Sequence, residues 1–238
     1  MKKILHPSNS RGEADYGWLK AKYSFSFANF FNPERIQFGQ LRVLNDDTVA
    51  PSMGFGKHPH QNMEIVTIPQ SGAVKHKDSM GNEGVVSAGE IQVMSAGSGV
   101  EHSEVNNSTK DSLKLFQIWV FPDTDNVTPR YDQKTIKNII KPNTLTPVVK
   151  PKSAAADGEL WVHQQAYFNL GEFTEDLTTT YSFQKEGHGA YLMVIEGTAV
   201  VDNETLEKRD AIGVWNTKSF SISVTKGTSL LLIEVPMN

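Results

Sequence analysis

The chain has 238 residues, 38% hydrophobic and 21% charged, with 23 basic against 27 acidic side chains. That is the make-up of a globular protein, and it lacks the basic excess of one whose main business is gripping nucleic acid. Cysteine is absent, which excludes disulfides, zinc–thiolate sites, iron–sulfur clusters and cysteine nucleophiles.

The chain opens Met1-Lys2-Lys3-Ile4-Leu5-His6-Pro7. This has charge but no apolar core behind it, so no secretory signal is predicted. No apolar run approaches the ~20 residues of a membrane span. A cytoplasmic protein is expected. Next come short segments rich in β-branched and aromatic residues: Met63–Ile68, Glu90–Met94 and Leu113–Val120. Each is strand length and ends at Gly, Pro, Asn or Asp. A polar, proline-bearing stretch starts at Pro122-Asp123-Thr124-Asp125-Asn126 and runs through Lys141-Pro142-Asn143 to Asp157-Gly158. Two more strand-like runs follow, Ala190–Ile195 and Ser229–Val235. No long segment carries a 3.6-residue apolar period, so helices should be few and short. Many short strands at this spacing predict an all-β sandwich or barrel.

The two halves read as a diverged repeat. Gly72-Ala73-Val74, Gly89-Glu90-Ile91 and a strand ending Trp119-Val120 are echoed by Gly197-Thr198-Ala199, Asp210-Ala211-Ile212 and a strand ending Glu234-Val235. The expected organisation is residues 1–133 as an N-terminal unit, 134–158 as linker or crossover, and 159–238 as a C-terminal unit.

The chemistry gathers in the first half. In His58-Pro59-His60 the two imidazoles are two residues apart, so on a strand they share a face. His102-Ser103-Glu104 repeats that spacing. If those strands are neighbours, three imidazoles and a carboxylate converge. Such a donor set suits a divalent transition metal, with one or two positions left open as in catalytic sites. A single His-x-His arises by chance or on a surface, but two donor pairs on strands of one unit are a more specific signal. Glycines flank both pairs, Gly54 and Gly56, then Gly97 and Gly99, as tight turns at a pocket rim require.

Glu64 lies four residues after His60, where a continuing strand would keep it on the same face. Three readings are open to it: a fifth ligand, an acceptor for the outer N–H of a ligand imidazole or a residue beside the pocket, and an exposed strand end. The second is the one expected. His76 precedes the turn at Met80-Gly81-Asn82, either at a polar hairpin tip or at the pocket mouth. His6, His163 and His188 lack a donor partner at metal spacing and are expected to be structural or superficial. The second half has no His-x-His and no His-x-Glu.

These motifs resemble those of the pirin family. The resemblance is carried by Gly54-Phe55-Gly56-Lys57-His58-Pro59-His60 with Glu64, by His76-Lys77-Asp78-Ser79-Met80-Gly81-Asn82, and by Ser95–Glu104. Gly17-Trp18-Leu19, Ser24–Phe27 and Thr128-Pro129-Arg130-Tyr131 are similar to bacterial pirin-like proteins of the quercetin 2,3-dioxygenase group. The match is strong over residues 10–132 and loose beyond. Tyr16 and Tyr23 stand where many relatives have His, which bears on pocket polarity.

Pirins are cupins, so the resemblance implies a bicupin: two tandem antiparallel β-barrels of jelly-roll type, the metal in the first and a degenerate second. It implies His58, His60, His102 and Glu104 as ligands of one divalent ion, Fe(II) above Mn, Ni, Cu or Zn, with Glu104 also the base. It implies a dioxygenase acting with O2 on an aromatic such as quercetin, inside apolar walls expected to include Ile65, Ile91, Met94 and Phe116. The alternative is a metal- and redox-responsive protein that binds a transcription-factor or enzyme partner. A monomer is expected.

Overall fold

The computed structural model describes all residues, 1–238. Its strands are β1 (Lys2–His6), β2 (Gly12–Asp15), β3 (Leu19–Tyr23), β4 (Leu41–Val49), β5 (Gly54–His60), β6 (Glu64–Ser71), β7 (Ala73–Asp78), β8 (Glu83–Ser87), β9 (Glu90–Ser95), β10 (Val100–Asn106), β11 (Leu113–Val120) and β12 (Arg130–Thr135). The second half adds β13 (Leu145–Pro151), β14 (Trp161–Val162), β15 (Tyr167–Glu172), β16 (Leu177–Ser182), β17 (His188–Glu196), β18 (Ala199–Val201), β19 (Glu204–Leu206), β20 (Ala211–Trp215), β21 (Ser219–Val224) and β22 (Ser229–Pro236). The one helical element is a 3₁₀ turn at Ser8–Ser10. No helix is long and apolar enough to cross a membrane.

Four sheets form two jelly-roll-like units. The first pairs a seven-stranded sheet, β12-β9-β6-β11-β4-β3-β2, with a four-stranded sheet, β5-β10-β7-β8. The second, β1-β20-β17-β22-β15-β13-β14 over β16-β21-β18-β19, repeats the order of the central strands and differs at its edges, where β14 runs parallel to β13 and β1 is supplied from the start of the chain. The predicted all-β repeat is therefore present at the level of topology.

The central strands show why alternation alone is a weak guide here. β11 is buried along both faces. Phe116, Ile118 and Val120 join one large core that also holds Phe168, Tyr191, Leu231 and Ile233 from the second unit. Its other face, Leu115, Gln117 and Trp119, looks into the first unit. The seven-stranded sheets thus pack against each other, and a strand buried on both sides must be apolar on both, as Leu113–Val120 nearly is. A shared carboxylate reinforces the junction: Asp46 of β4 lies 3.4 Å from the Arg11 guanidinium and 3.3 Å from that of Arg209.

The unit boundaries differ from the expected 1–133, 134–158 and 159–238. β1 leaves the first unit and pairs with β20 of the second, Lys2 opposite Trp215 through His6 opposite Ala211. β12 runs to Thr135 and still pairs with β9. The expected linker contains β13, which pairs with β15. Prolines disguised it. Pro147 sits at a register shift, and proline is tolerated at such bulges because no ladder N–H is demanded there. β1 was disguised by polarity: it is a mostly exposed edge strand with two lysines.

Candidate metal centre

The four-stranded sheet of the first unit carries the candidate ligands. β5 and β10 are antiparallel neighbours, with His102 opposite His58 and Val100 opposite His60. On β10's other side, β7 sets Asp78 opposite His102 and His76 opposite Glu104. Between His102 and Glu104 the β5 partners step from His58 to Phe55, so β5 carries one extra residue. Such a bulge bends a strand and re-aims its side chains. Two glycines make the geometry attainable. A Cβ at Gly54 would collide with the Glu104 carbonyl, and one at Gly97 (φ +47°) with the Val127 carbonyl.

His58, His60 and His102 converge: each offers a nitrogen within 4.8 Å of the others'. The His58 Nδ1–H donates to the Gly56 carbonyl at 2.7 Å, which leaves Nε2 as the free nitrogen. That Nε2 faces the His102 Nε2 at 3.1 Å. Two lone pairs at this distance repel unless a proton or a cation lies between them. Burial, helped by the neighbouring imidazoles, holds His60 down to about 4 and His102 down to about 3. Both are therefore neutral near pH 7, the form a metal requires. The donor set fits a divalent transition ion.

Glu104 belongs to a second, overlapping triad with His76 and His102. Its carboxylate is fixed from the opposite sheet. Oε1 accepts from Gln92 Nε2 at 2.9 Å and from Thr67 Oγ1 at 3.1 Å, and Oε2 accepts from Gln117 Nε2. These three donors come from β9, β6 and β11. Sequence reasoning did not find them, although each is a polar residue interrupting an apolar strand, which is the signal that was available. His76 is fully buried behind His102, its ring stacked on Tyr131 at 4.6 Å. It occupies neither a hairpin tip nor the pocket mouth.

Glu64 does not join this cluster. Its carboxylate accepts from Ser95 Oγ at 2.8 Å and from the His163 backbone N–H at 3.0 Å, tying β6 to the segment after β14. The i+4 spacing from His60 misleads because β5 ends at His60 and the chain turns through Asn62, whose φ is +48°. Burial pushes the Glu64 carboxyl up to about 7. His6 is buried and bonds the Tyr191 hydroxyl at 2.9 Å, and His188 bonds Glu234 at 2.8 Å. With the half-buried His163, these three histidines lie outside the cluster.

The imidazoles open onto a pocket of about 250 Å³. Its apolar wall comes from Leu19, Ala21, Phe27, Phe55 and Trp119, with Tyr23 beside them. The expected lining of Ile65, Ile91, Met94 and Phe116 is corrected. Ile91 and Phe116 face the junction between the units, and Ile65 and Met94 pack with Ala96 and Val100. Of the two tyrosines singled out, Tyr23 borders the pocket and Tyr16 is exposed.

Known proteins match this arrangement end to end. Residues 5–120 match the Pirin family, and residues 151–235 match the quercetinase C-terminal cupin domain. A quercetin 2,3-dioxygenase of Escherichia coli K12 is 37% identical over 232 residues, 98% of each chain. The chain belongs to the pirin family. A pirin-like protein of Caulobacter vibrioides is 36% identical over 228 residues, covering 96% of this chain and 97% of that one. Among solved structures, the bacterial pirin YhhW of Escherichia coli, in complex with nickel(II), superposes with a TM-score of 0.92 at 34% identity, covering 100% of both chains. The pirin fold here is thus a pair of cupin-type units, the candidate ligands all in the first.

Proposed function

We propose that this pirin is a metal-dependent dioxygenase that cleaves a flavonol such as quercetin with O2, in the cytoplasm. The observation that carries the reading is the convergence of His58, His60 and His102 on the lining of a pocket with apolar and aromatic walls. The names of the similar proteins support the substrate class. His58, His60, His102 and Glu104 are the proposed ligands, and Fe(II) the proposed ion; the same donors accept Mn, Ni, Cu or Zn. A divalent ion held there supplies Lewis acidity, which favours ionisation of the flavonol 3-hydroxyl beside its carbonyl.

The remaining work falls to the chain. Glu104 takes the 3-hydroxyl proton on a carboxylate oxygen. Gln92, Thr67 and Gln117 keep that carboxylate aimed while the proton is held. Phe27, Phe55 and Trp119 sandwich the planar substrate and keep bulk water off the ring as it opens. Both atoms of O2 enter the ring-opened product, one carbon leaves as carbon monoxide, and Glu104 returns its proton to the product. No further oxidant or reductant is needed.

The test is oxygen uptake and quercetin loss by protein stripped of metal and reloaded with Fe(II), Mn(II), Ni(II), Cu(II) or Zn(II), with His102→Ala alongside. Turnover with one metal, lost in the variant, is the expected result. Tight metal binding with no consumption of flavonol or oxygen would overturn the dioxygenase reading in favour of a metal-responsive binding protein.

A further inference from the structure

The pocket has a polar side that the chemistry above does not use. On β4, Asn45 and Asp47 share the inward face between Val43 and Val49, and both border the pocket across from the histidines. Asn45 lies opposite Tyr23 on β3 and opposite Gln117 on β11, while Asp47 lies opposite Ala21 and Leu115. Gln117 is occupied by Glu104. Asn45 and Asp47 are not: the Oδ1 atoms of both are buried and have no hydrogen-bond partner. The residues are only 4% and 3% exposed. The indole N–H of Trp119, on the same pocket, is also buried without an acceptor. Stranded polar atoms carry a desolvation cost that a well-packed strand could have avoided with Val or Leu. Two on one face, both lining a cavity, mark a place where a ligand supplies the missing hydrogens.

We propose that Asn45 and Asp47 determine substrate choice, accepting hydrogen bonds from phenolic hydroxyls on the part of the substrate remote from the reacting edge. The pocket then selects planar aromatics with several hydroxyl groups over unsubstituted ones with the same reacting edge. This rests on the flavonol reading of the site. Burial, with Asp46 and Glu104 nearby, pushes the Asp47 carboxyl up to about 8. A carboxyl protonated near pH 7 both accepts and donates, which matches a phenol ring bearing adjacent hydroxyls.

The experiment is ligand binding to the metal-loaded protein under anaerobic conditions, followed by quenching of tryptophan fluorescence. The probes are quercetin and 3-hydroxyflavone, which keeps the reacting edge and lacks every other hydroxyl. Wild type should bind quercetin at least ~10-fold more tightly, because an analogue without the hydroxyls leaves buried polar groups unpaired. In Asp47→Leu and Asn45→Leu that ratio should collapse towards one, and Asp47→Asn, which keeps an acceptor and a donor, should retain most of it. A mere packing role would shift both affinities together. An unchanged ratio in both leucine variants, or no preference in wild type, overturns the inference. Failure of the dioxygenase reading is separate: it appears as preferential quercetin binding without turnover once O2 is admitted.

Discussion

The two units share a strand order yet spend their interiors differently. In the first, β10 turns His102, Glu104 and Asn106 inward. In the second, β21 holds the corresponding place between its neighbours and turns Phe220, Ile222 and Val224 inward. Opposite them, β5 offers His58 where β16 offers Tyr181 and Thr179. The second interior is filled by one apolar cluster including Phe220, Ile222, Val224, Leu192 and Leu232, and its buried Glu234 is tied off by Tyr181 and His188 rather than facing a cavity lined by imidazoles. The first is mixed: an apolar cluster holding Leu19, Ala21 and Tyr23 also forms a wall of the pocket that the imidazoles, amides and carboxyls line. A jelly roll does not need both interiors packed. One unit, clamped sheet to sheet against its sibling, supplies stability, while the other tolerates a polar cavity.

That contrast can be broken from either side. The largest effect should come from the packed unit: Phe220→Ala should cost about 3–5 kcal/mol in urea unfolding while leaving the metal content of folded protein unchanged. From the other side, His102→Ala should weaken divalent-metal binding more than about 100-fold, beyond what loss of a supporting partner costs. His188→Ala, in the second unit, should leave it unchanged; calorimetric metal titration reads both. A smaller effect should follow Gln117→Leu, which frees one Glu104 oxygen: about 10-fold weaker metal binding, read the same way.

The smallest effect concerns pH. Asp47 and Glu64 are pushed up to about 8 and about 7 by burial. The folded state therefore keeps protons that the unfolded chain has already released, and stability falls as pH rises towards those values. Below pH 6.5 the trend is opposed by His6, His60 and His102, whose folded values are lowered. Above pH 6.5 the histidine contribution, His163 included, fades, and between pH 6.5 and 8 the two carboxyls outweigh it. There the metal-free protein should lose about 1–2 kcal/mol, and Asp47→Asn should lose less. Urea midpoints at the two pH values check this.

Much of this was legible in the sequence because it is written at short range. Alternation reveals that His58 and His60, or His102 and Glu104, share a face, and turn residues delimit the strands. What was hidden depends on which strands meet. Thr67, Gln92 and Gln117 reach Glu104 from three other strands, and nothing in their own neighbourhoods names that partner. Asn45 and Asp47 lie within the nine-residue strand β4, which is not among the strand-like runs read from the sequence. Ile91 and Phe116 face the junction and not the pocket, and strands apolar on both faces do not say which face is which. Glu64 lies beyond the turn at Asn62, so strand periodicity does not carry over to it from His60.

The central claim is that one unit holds a single metal through three imidazoles and the other holds none. X-ray absorption of protein loaded anaerobically with Fe(II), with the bound metal counted, tests it most directly. The account predicts one iron per chain with scattering from three imidazoles and oxygen donors, and loss of that signal in His102→Ala. Iron retained at full occupancy in His102→Ala, or a first shell with fewer than two imidazoles, would contradict it.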